Sequence, residues 1–383
     1  MEFTDEVCIL LEATNYKRED ILSFNEEILN NTGGLNGIIS RLSLQFANGE
    51  TKSFIKKVSN SKSYETSIKL GLSREALFYK ELAPRLNDFG GICEVYVSQG
   101  NMETGEKLII LEDLKDSIQS GYFFGPGSPH NWGKDLDFYC SQAKGIDSEY
   151  ITSRLFSIMG KFHGQYWNDV NLLKHSSWLK GCNWINKSGE ESFHAAQNQA
   201  LNCWKITKEK IENGTSDLNW DPFIVNCLDA SFAKISWDKF LDELSHRPWT
   251  LAHGDFHPAN TMYDVKNDRL FILDWEVVGV GSGPQDLGQF VISHTDPKER
   301  RLYEHKVVRN YYDALIECNK SVTYSYEECF AEYVKGGAER WVWLLALLST
   351  MCPANMNNYF QAQVKEFLID HHIDASNIGM PRV

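Results

Sequence analysis

Along the first 115 residues apolar and polar positions alternate as they do in strands and turns, whereas helical spacing dominates from about residue 150 onward. The stretch "NNTGGLNGIISRLSLQFANGETKSFIKKVS" reads as a Gly-rich turn, a strand ("IISRLSLQF"), an "ANGE" turn and a second strand ("SFIKKV"). "ETSIKLGLSREALFYKELAPRL" then carries apolar residues at Leu72, Ala76, Phe78, Tyr79 and Leu82, the spacing of one helix that Pro84 brings to an end. "CEVYVSQGNMETGEKLIILEDL" adds two strands around a turn. The pattern predicts a small N-terminal antiparallel sheet with one helix inserted. Further on, "ITSRLFSIMGKFHGQYW" and residues 191–213, 222–245, 299–319, 326–350 and 355–370 have helical spacing. The Gly-, Pro- and aromatic-rich segment from Asp116 to Ser148 predicts a long irregular loop, of the kind that carries function in compact domains.

At 383 residues, 42% hydrophobic and 13% aromatic, the chain suits two lobes with a sizeable core, divided here as 1–115 and 116–383. The formal charge of -14 argues against nucleic acid or an anionic membrane as partner, because both demand clustered Lys and Arg. Nine scattered cysteines without a C-x-x-C suggest reduced thiols, and the start "MEFTDEVCILLEATNY" has acidic residues where a signal peptide has basic ones. A cytoplasmic protein is expected. The most apolar run, "WVWLLALLSTM", is too short to span a bilayer.

The densest chemistry lies in "WTLAHGDFHPANTMYDVKNDRLFILDWE". "TMYDVKNDRLFILDW" predicts strand, turn and strand, and a hairpin would bring Asn260 and Asp274 together at its ends. An amide oxygen beside a carboxylate suits Mg2+, a hard cation that completes its shell with water and phosphate oxygens. Asp255 precedes Asn260 by five residues, the D-x-x-x-x-N spacing of a phosphoryl-transfer loop. In such a loop the Asp accepts the proton of an attacking hydroxyl, and the Asn and a later Asp hold metal. His253 would brace the loop. Solvated turn residues are the bland reading, and a zinc reading of His253 and His257 fails for want of a third ligand nearby.

The N-terminal sheet supplies matching parts in order. Gly33, Gly34 and Gly37 in "NTGGLNG" could let backbone amides approach phosphate oxygens. Alternation in "SFIKKV" sets Phe54, Lys56 and Val58 on one face and Ile55 and Lys57 on the other. Lys56 is preferred as the phosphate lysine, with Lys57 as the alternative. Glu75 is the candidate to pair with that lysine, Glu81 the alternative. The strand "LIILEDL" ends in acidic residues that suit an inter-lobe hinge, where backbone groups from Glu112 to Leu114 could read adenine.

With these pieces in order the chain resembles the aminoglycoside phosphotransferase and choline kinase superfamily, and within it the ecdysteroid-kinase-like branch. "HGDFHPAN", "LDWE" and "GVGSGPQDLGQF" match the superfamily's catalytic, metal and G-x-P-x-x-D-L motifs. "REALFYKELAPRL", "LIILEDL" and "GKFHGQYW" are similar to that branch's E-x-x-F-Y helix, E-D-L hinge and F-H-A helix, with Gly164 for the usual Ala. The resemblance implies an α+β, protein-kinase-like bilobal fold with a larger, mainly helical C-terminal lobe. It also implies ATP, Mg2+ and a small hydroxylated acceptor. In that frame Asp255 is the base, Asn260 and Asp274 are metal ligands, Lys56 and Glu75 position phosphate, and Asp286 is a structural acid. Protein kinases themselves are a poorer match, since Gly254 replaces the Arg of H-R-D and no A-P-E follows.

The implied activity is transfer of the γ-phosphate of ATP to a hydroxyl of an amino alcohol, aminoglycoside, sterol or similar metabolite. The alternative is a nucleotide-binding pseudokinase that regulates a partner. Oligomeric state, monomer or homodimer, is open. Trp132, Trp167, Trp178, Trp184, Trp204, Trp341 and Trp343 fall where this superfamily builds its acceptor side, and the loop 116–148 is a candidate flap over that side.

Overall fold

The alternation of the N-terminal segment is realised as a five-stranded antiparallel sheet of order β1-β2-β3-β5-β4. The computed structural model describes residues 3–29, 37–60, 62, 64–86 and 89–383. Gly33 and Gly34 lie outside the described residues. The chain opens with a helix that the strand-and-turn reading did not expect, α1 (Asp5–Thr14), whose first turn is capped by the Thr4 side chain. The strands are β1 (Ile21–Ile28), β2 (Gly37–Phe46), β3 (Thr51–Ser59), β4 (Val95–Gly100) and β5 (Lys107–Glu112). Val7, Leu10 and Leu11 of α1 are buried against Leu42, Leu44, Phe54, Val97 and Ile110 of the sheet. Three such side chains contribute about 1.5–3 kcal/mol each.

The single helix expected between β3 and β4 is broken. α2 (Tyr64–Leu70) stops at Gly71, whose φ of +70° ends the helix in the left-handed region. Arg74 then turns back to donate to the Leu70 carbonyl at 2.7 Å. α3 (Arg74–Leu77) runs into a π-helical turn (Phe78–Leu82) and a 3-10 turn (Ala83–Arg85).

The rest is mainly helical. The 116–148 segment is ordered into β6 (Ile118–Gln119), two 3-10 turns and α4 (Leu136–Cys140), so the expected irregular loop contains short regular elements. There follow α5 (Ser148–Gln165), α6 (Val170–His175), α7 (Cys182–Ile185), α8 (Glu190–Glu212), α9 (Pro222–Phe232) and α10 (Trp237–His246). Next come the strands β7 (Thr250–Ala252), β8 (Thr261–Asp264), β9 (Arg269–Ile272) and β10 (Gly279–Gly281). The chain closes with α11 (Gly283–His294), α12 (Pro297–Cys318), α13 (Tyr326–Met351) and α14 (Ala354–Asp370). No helix among the described residues is long and apolar enough to cross a membrane. All nine cysteines are free.

Two compact units result: Met1–Ser117 with Lys266–Val278, and Ile118–Val265 with Gly279–Val383. The division therefore differs from a single cut after residue 115, because the segment Lys266–Val278 joins the sheet unit. Within that unit Ile272 donates its backbone N–H to the Gly91 carbonyl at 2.7 Å, and Trp275 stacks on Phe78 with ring centroids 4.0 Å apart. Asp274 thus sits with the sheet, and Asp255 and Asn260 with the helices. The fold class is the expected α+β: an antiparallel sheet with helices inserted between β3 and β4, and a larger, mainly helical part.

Candidate active site

In the sheet unit the lysine that reaches Glu75 is Lys57, which corrects the preference for Lys56. Lys57 Nζ lies 2.6 Å from a Glu75 oxygen, whereas Lys56 Nζ pairs with Glu26 at 2.7 Å and lies 3.6 Å from Glu6. The period-2 alternation was read correctly, but its faces were interchanged. Phe54 and Lys56 belong to the face that α1 covers, and Lys57 to the face toward α3.

A second lysine completes the cluster. Lys57 stands opposite Ile109 in the β3–β5 ladder, so Lys107, two residues along, falls on the same face. Its Nζ reaches the other Glu75 oxygen at 3.1 Å and also pairs with Glu276. Glu75 is fully buried. Burial would raise its pKa, but Lys57 and Lys107 outweigh that and bring it down to about 2. Lys57 is held above its ordinary value: burial opposes its charge, and Glu75, Asp274 and Glu276 more than compensate. Glu276 goes the other way, up to about 7, because burial and the carboxylates of Asp274 and Glu75 outweigh the help of Lys107.

Glu75, Asp274 and Glu276 each offer a carboxylate oxygen within 4.8 Å of the others. Glu75 is paired with two lysines and Glu276 with one of them, so Asp274 is the carboxylate of this group best suited to a hard divalent cation. Asp274 has a φ of +64°, a left-handed conformation that is uncommon outside Gly and gathers at functional sites. Of the residues expected to meet nucleotide, Gly37 opens β2 opposite Ser59, and a Cβ there would meet the Val58 carbonyl oxygen at 3.2 Å. Glu112 ends β5 opposite Phe54, and its N–H donates to the Glu94 carbonyl at 2.9 Å. The Leu114 carbonyl accepts from Ser117 at 2.9 Å, closing the turn after the strand.

In the helical unit the "HGDFHPAN" loop is pinned from several sides. The Asp286 carboxylate accepts the N–H of His253 at 2.7 Å and of Gly254 at 3.1 Å. His253 Nδ1 accepts the Asp255 N–H at 3.2 Å, so His253 braces the loop. Gln289 Nε2 donates to Asp255 Oδ1 at 2.8 Å. Asn260 Nδ2 donates to the Asp255 carbonyl at 3.0 Å and to Oδ2 at 3.4 Å, which turns its amide oxygen to other uses, metal ligation among them. Burial would raise the Asp255 pKa, but His257, His253 and Arg340 hold it well below the ordinary carboxylate range. Asp255 is therefore ionised at neutral pH.

Beside Asp255 three imidazoles cluster face to face. His257 Nε2 lies 3.7 Å from Asp255 Oδ2, and the rings of His257, His130 and His294 have centroid separations of 4.9–5.5 Å. Burial and His257 push His130 down to about 4 against an opposing effect of Asp255, and burial, with His130 and His257, pushes His294 well below its ordinary value.

Sequence reasoning missed Lys107, Gln289, Arg340, His130 and His294. Signals existed for two of them. Gln289 follows Asp286 by three residues and so shares its helix face, and Arg340 directly precedes the apolar run "WVWLLALL". Of the tryptophans, Trp204, Trp341 and Trp343 are buried and donate to Asp229, Gln289 and Ala196, a packing role. Trp132 is 39% exposed and, with Asn355, Asn358, Tyr359 and Ala362, lines a cavity of about 500 Å³.

The Ecdysteroid kinase-like family matches residues 184–324. Over that segment, somewhat more than a third of its length, the chain is similar to this family. No curated protein matches the sequence. Similar solved structures include the choline kinase LicA from Streptococcus pneumoniae, 14% identical, covering 96% of this chain and 100% of that one with a TM-score of 0.47. An ethanolamine kinase of Plasmodium vivax is 12% identical over 97% of this chain and 92% of that one, TM-score 0.46. The GDP complex of an aminoglycoside 2'-phosphotransferase-IIIa mutant is 11% identical over 96% and 97%, TM-score 0.49.

Proposed function

We propose that the protein is a kinase that transfers the γ-phosphate of ATP to a hydroxyl of a small molecule. The observation that carries this reading is Asp255, an ionised carboxylate held at both oxygens by Gln289 and Asn260 in a D-x-x-x-x-N loop. The acceptor's O–H gives its proton to Asp255 as its oxygen bonds to the γ-phosphorus. The bond from that phosphorus to the bridging oxygen breaks, and the electron pair leaves with ADP. Lys57, fixed by Glu75, supplies positive charge to the nucleotide phosphates. Asn260 and Asp274 keep the metal-ligand roles assigned from the sequence; Mg2+, when bound, neutralises phosphate charge. Gly37, Glu112 and Leu114 belong to the nucleotide side. Amino alcohols, aminoglycosides and sterols are the acceptor classes to test.

The test is ADP release against a panel of such alcohols, with Mg-ATP affinity measured by calorimetry on the same proteins. Asp255→Asn is expected to leave Mg-ATP affinity nearly intact and to cut kcat about 10^2-fold or more. Asp274→Asn is expected to weaken Mg-ATP binding as well as turnover. Absence of acceptor-dependent ADP release from the unmodified protein would refute the kinase reading in favour of a pseudokinase. Equal loss of ATP binding in both variants would mean that the roles given to the two carboxylates are wrong.

A further inference from the structure

Asp255 has two carboxylate oxygens, and the structure treats them differently. Oδ1 accepts a hydrogen bond from Gln289 Nε2 at 2.8 Å. Oδ2 faces the longer contacts, Asn260 Nδ2 at 3.4 Å and His257 Nε2 at 3.7 Å. Asp255 keeps 40% of its side-chain surface exposed, so one edge of the carboxylate is open.

Gln289 is only 2% exposed, and its amide cannot turn over. Its Oε1 accepts from Arg340 Nε at 3.0 Å, and a guanidinium has donors only. The amide oxygen must therefore face Arg340 and the NH2 must face Asp255. Arg340 is itself fixed: Nη2 donates to the Gly254 carbonyl at 2.8 Å, and the guanidinium lies 5.0 Å from the centroid of the Trp343 ring. The Trp341 indole N–H donates to the backbone carbonyl of Gln289 at 3.2 Å, anchoring the residue from the same helix α13. Thus α11 presents Asp286 and Gln289 three residues apart on one face, the first holding the loop backbone and the second the Asp255 side chain.

We infer that Gln289, backed by Arg340, is a positioning residue that caps Asp255 Oδ1 and thereby assigns Oδ2 as the oxygen that receives the acceptor's proton. This rests on the kinase reading and adds to it which oxygen reacts and what orients it. Gln289 touches neither nucleotide nor acceptor in this scheme. It acts by removing rotation of the Asp255 carboxylate, and misplacement of a reacting group by about 1 Å can cost on the order of 10^2-fold in rate.

The experiment compares Gln289→Leu and Gln289→Glu with a control, Gln363→Leu. Gln363 is another buried glutamine, whose NH2 serves the Ile292 and Thr295 carbonyls away from the loop. Folding is checked by circular dichroism, Mg-ATP affinity by calorimetry, and kcat and KM by ADP release. Gln289→Leu is expected to lower kcat about 10–100-fold with KM and Mg-ATP affinity within about threefold. Gln289→Glu, which keeps the shape but sets a carboxylate against Asp255, is expected to lose at least as much. Gln363→Leu is expected to lower Tm and keep kcat. If Gln289→Leu behaves like Gln363→Leu, the residue is structural and the inference is overturned.

A second readout does not depend on turnover. In the unmodified protein the Gln289 side-chain NH2 is expected to exchange with solvent slowly by NMR, and Asp255→Ala or Arg340→Lys should accelerate that exchange about tenfold or more. Fast exchange in the unmodified protein refutes the clamp. Slow exchange without any acceptor-dependent turnover would sink the kinase reading and leave the clamp standing.

Discussion

Lys57 Nζ and the Glu75 carboxylate stand 2.6 Å apart in a place where Glu75 has no contact with solvent, so water screens their attraction little and the pair fixes the Lys57 ammonium in place. Lys56, one residue earlier, has its own partners in Glu26 and Glu6. Lys57→Met is therefore expected to reduce ADP release at least about 10^2-fold and to weaken Mg-ATP binding. Lys56→Met should leave turnover within about threefold and lower Tm by a few degrees. Calorimetry and turnover on both variants check this; equal activity losses would mean that the face of β3 does not decide function.

The imidazole cluster beside Asp255 gives a pH dependence with a defined sign. His130 titrates near 4 in the folded chain, through burial and His257, against an ordinary value of 6.5. Between those values the unfolded chain binds more protons than the folded one, so stability is present in full above about pH 6.5 and is lost as pH falls toward 4. His130→Phe, which keeps a ring to stack on His257 and His294, should flatten that part of the profile. Urea midpoints at pH 4.5 and 7 measure it, and an unchanged difference between them would show that His130 is not held neutral.

How far the sequence could be read depends on the range of the interaction concerned. Alternation in β2 and β3 and the spacing of Asp255, Asn260 and Asp274 are local, and they led to the sheet and the loop directly. Which face of β3 meets Glu75 is not local. It depends on α1 covering the other face, and α1 lies at the far end of the sequence from the site's motifs. Lys107 carries no local signal because its partners, Glu75 and Glu276, are 32 and 169 residues away. Gln289 and Arg340 gain meaning only when α11 and α13 cross. Gly71 broke the helix expected through residue 82 because its left-handed φ and the Arg74 cap favour a stop that apolar spacing alone does not register.

The crossing of α11 and α13 is set by two glycines. A Cβ on Gly288 would meet the Gly337 Cα at 2.4 Å, and a Cβ on Gly337 would meet the Gly288 Cα at 2.8 Å. Backbone cannot yield as a side chain does, so the helices must separate. Gly288→Ala is expected to cost about 1–3 kcal/mol, and Gly337→Ala less. Because Gln289 follows Gly288 and Arg340 lies three residues after Gly337, separation also lengthens the Gln289–Arg340 hydrogen bond of 3.0 Å. Gly288→Ala should lower kcat in the folded protein more than it changes Mg-ATP affinity. Thermal denaturation and kinetics measure both effects, and a Tm unchanged by either substitution would show that the crossing is looser than described.

Lys107 is buried between two carboxylates, Glu75 and Glu276, and its removal tests what it compensates. With Lys107→Met, Glu75 keeps Lys57 but Glu276 loses its lysine, and breaking a buried pair in this way is expected to cost about 3–5 kcal/mol. Adding Glu276→Gln should recover part of that loss, since a neutral amide needs no counter-ion. The Glu276→Gln change also carries a pH signature. Glu276 titrates at about 7 when folded, raised by burial with Asp274 and Glu75, against an ordinary 4.5. The folded chain therefore holds more protons than the unfolded one across that window, so this group makes stability fall as pH rises from about 4.5 to 7. In the Gln variant that contribution vanishes, and its stability at pH 8 relative to pH 5 should exceed that of the unmodified protein. This is opposite in sign to the His130 effect, so the two variants must tilt the profile in opposite directions. Denaturant midpoints at the two pH values decide it: parallel profiles for the unmodified protein and Glu276→Gln would mean that Lys107 keeps Glu276 ionised throughout.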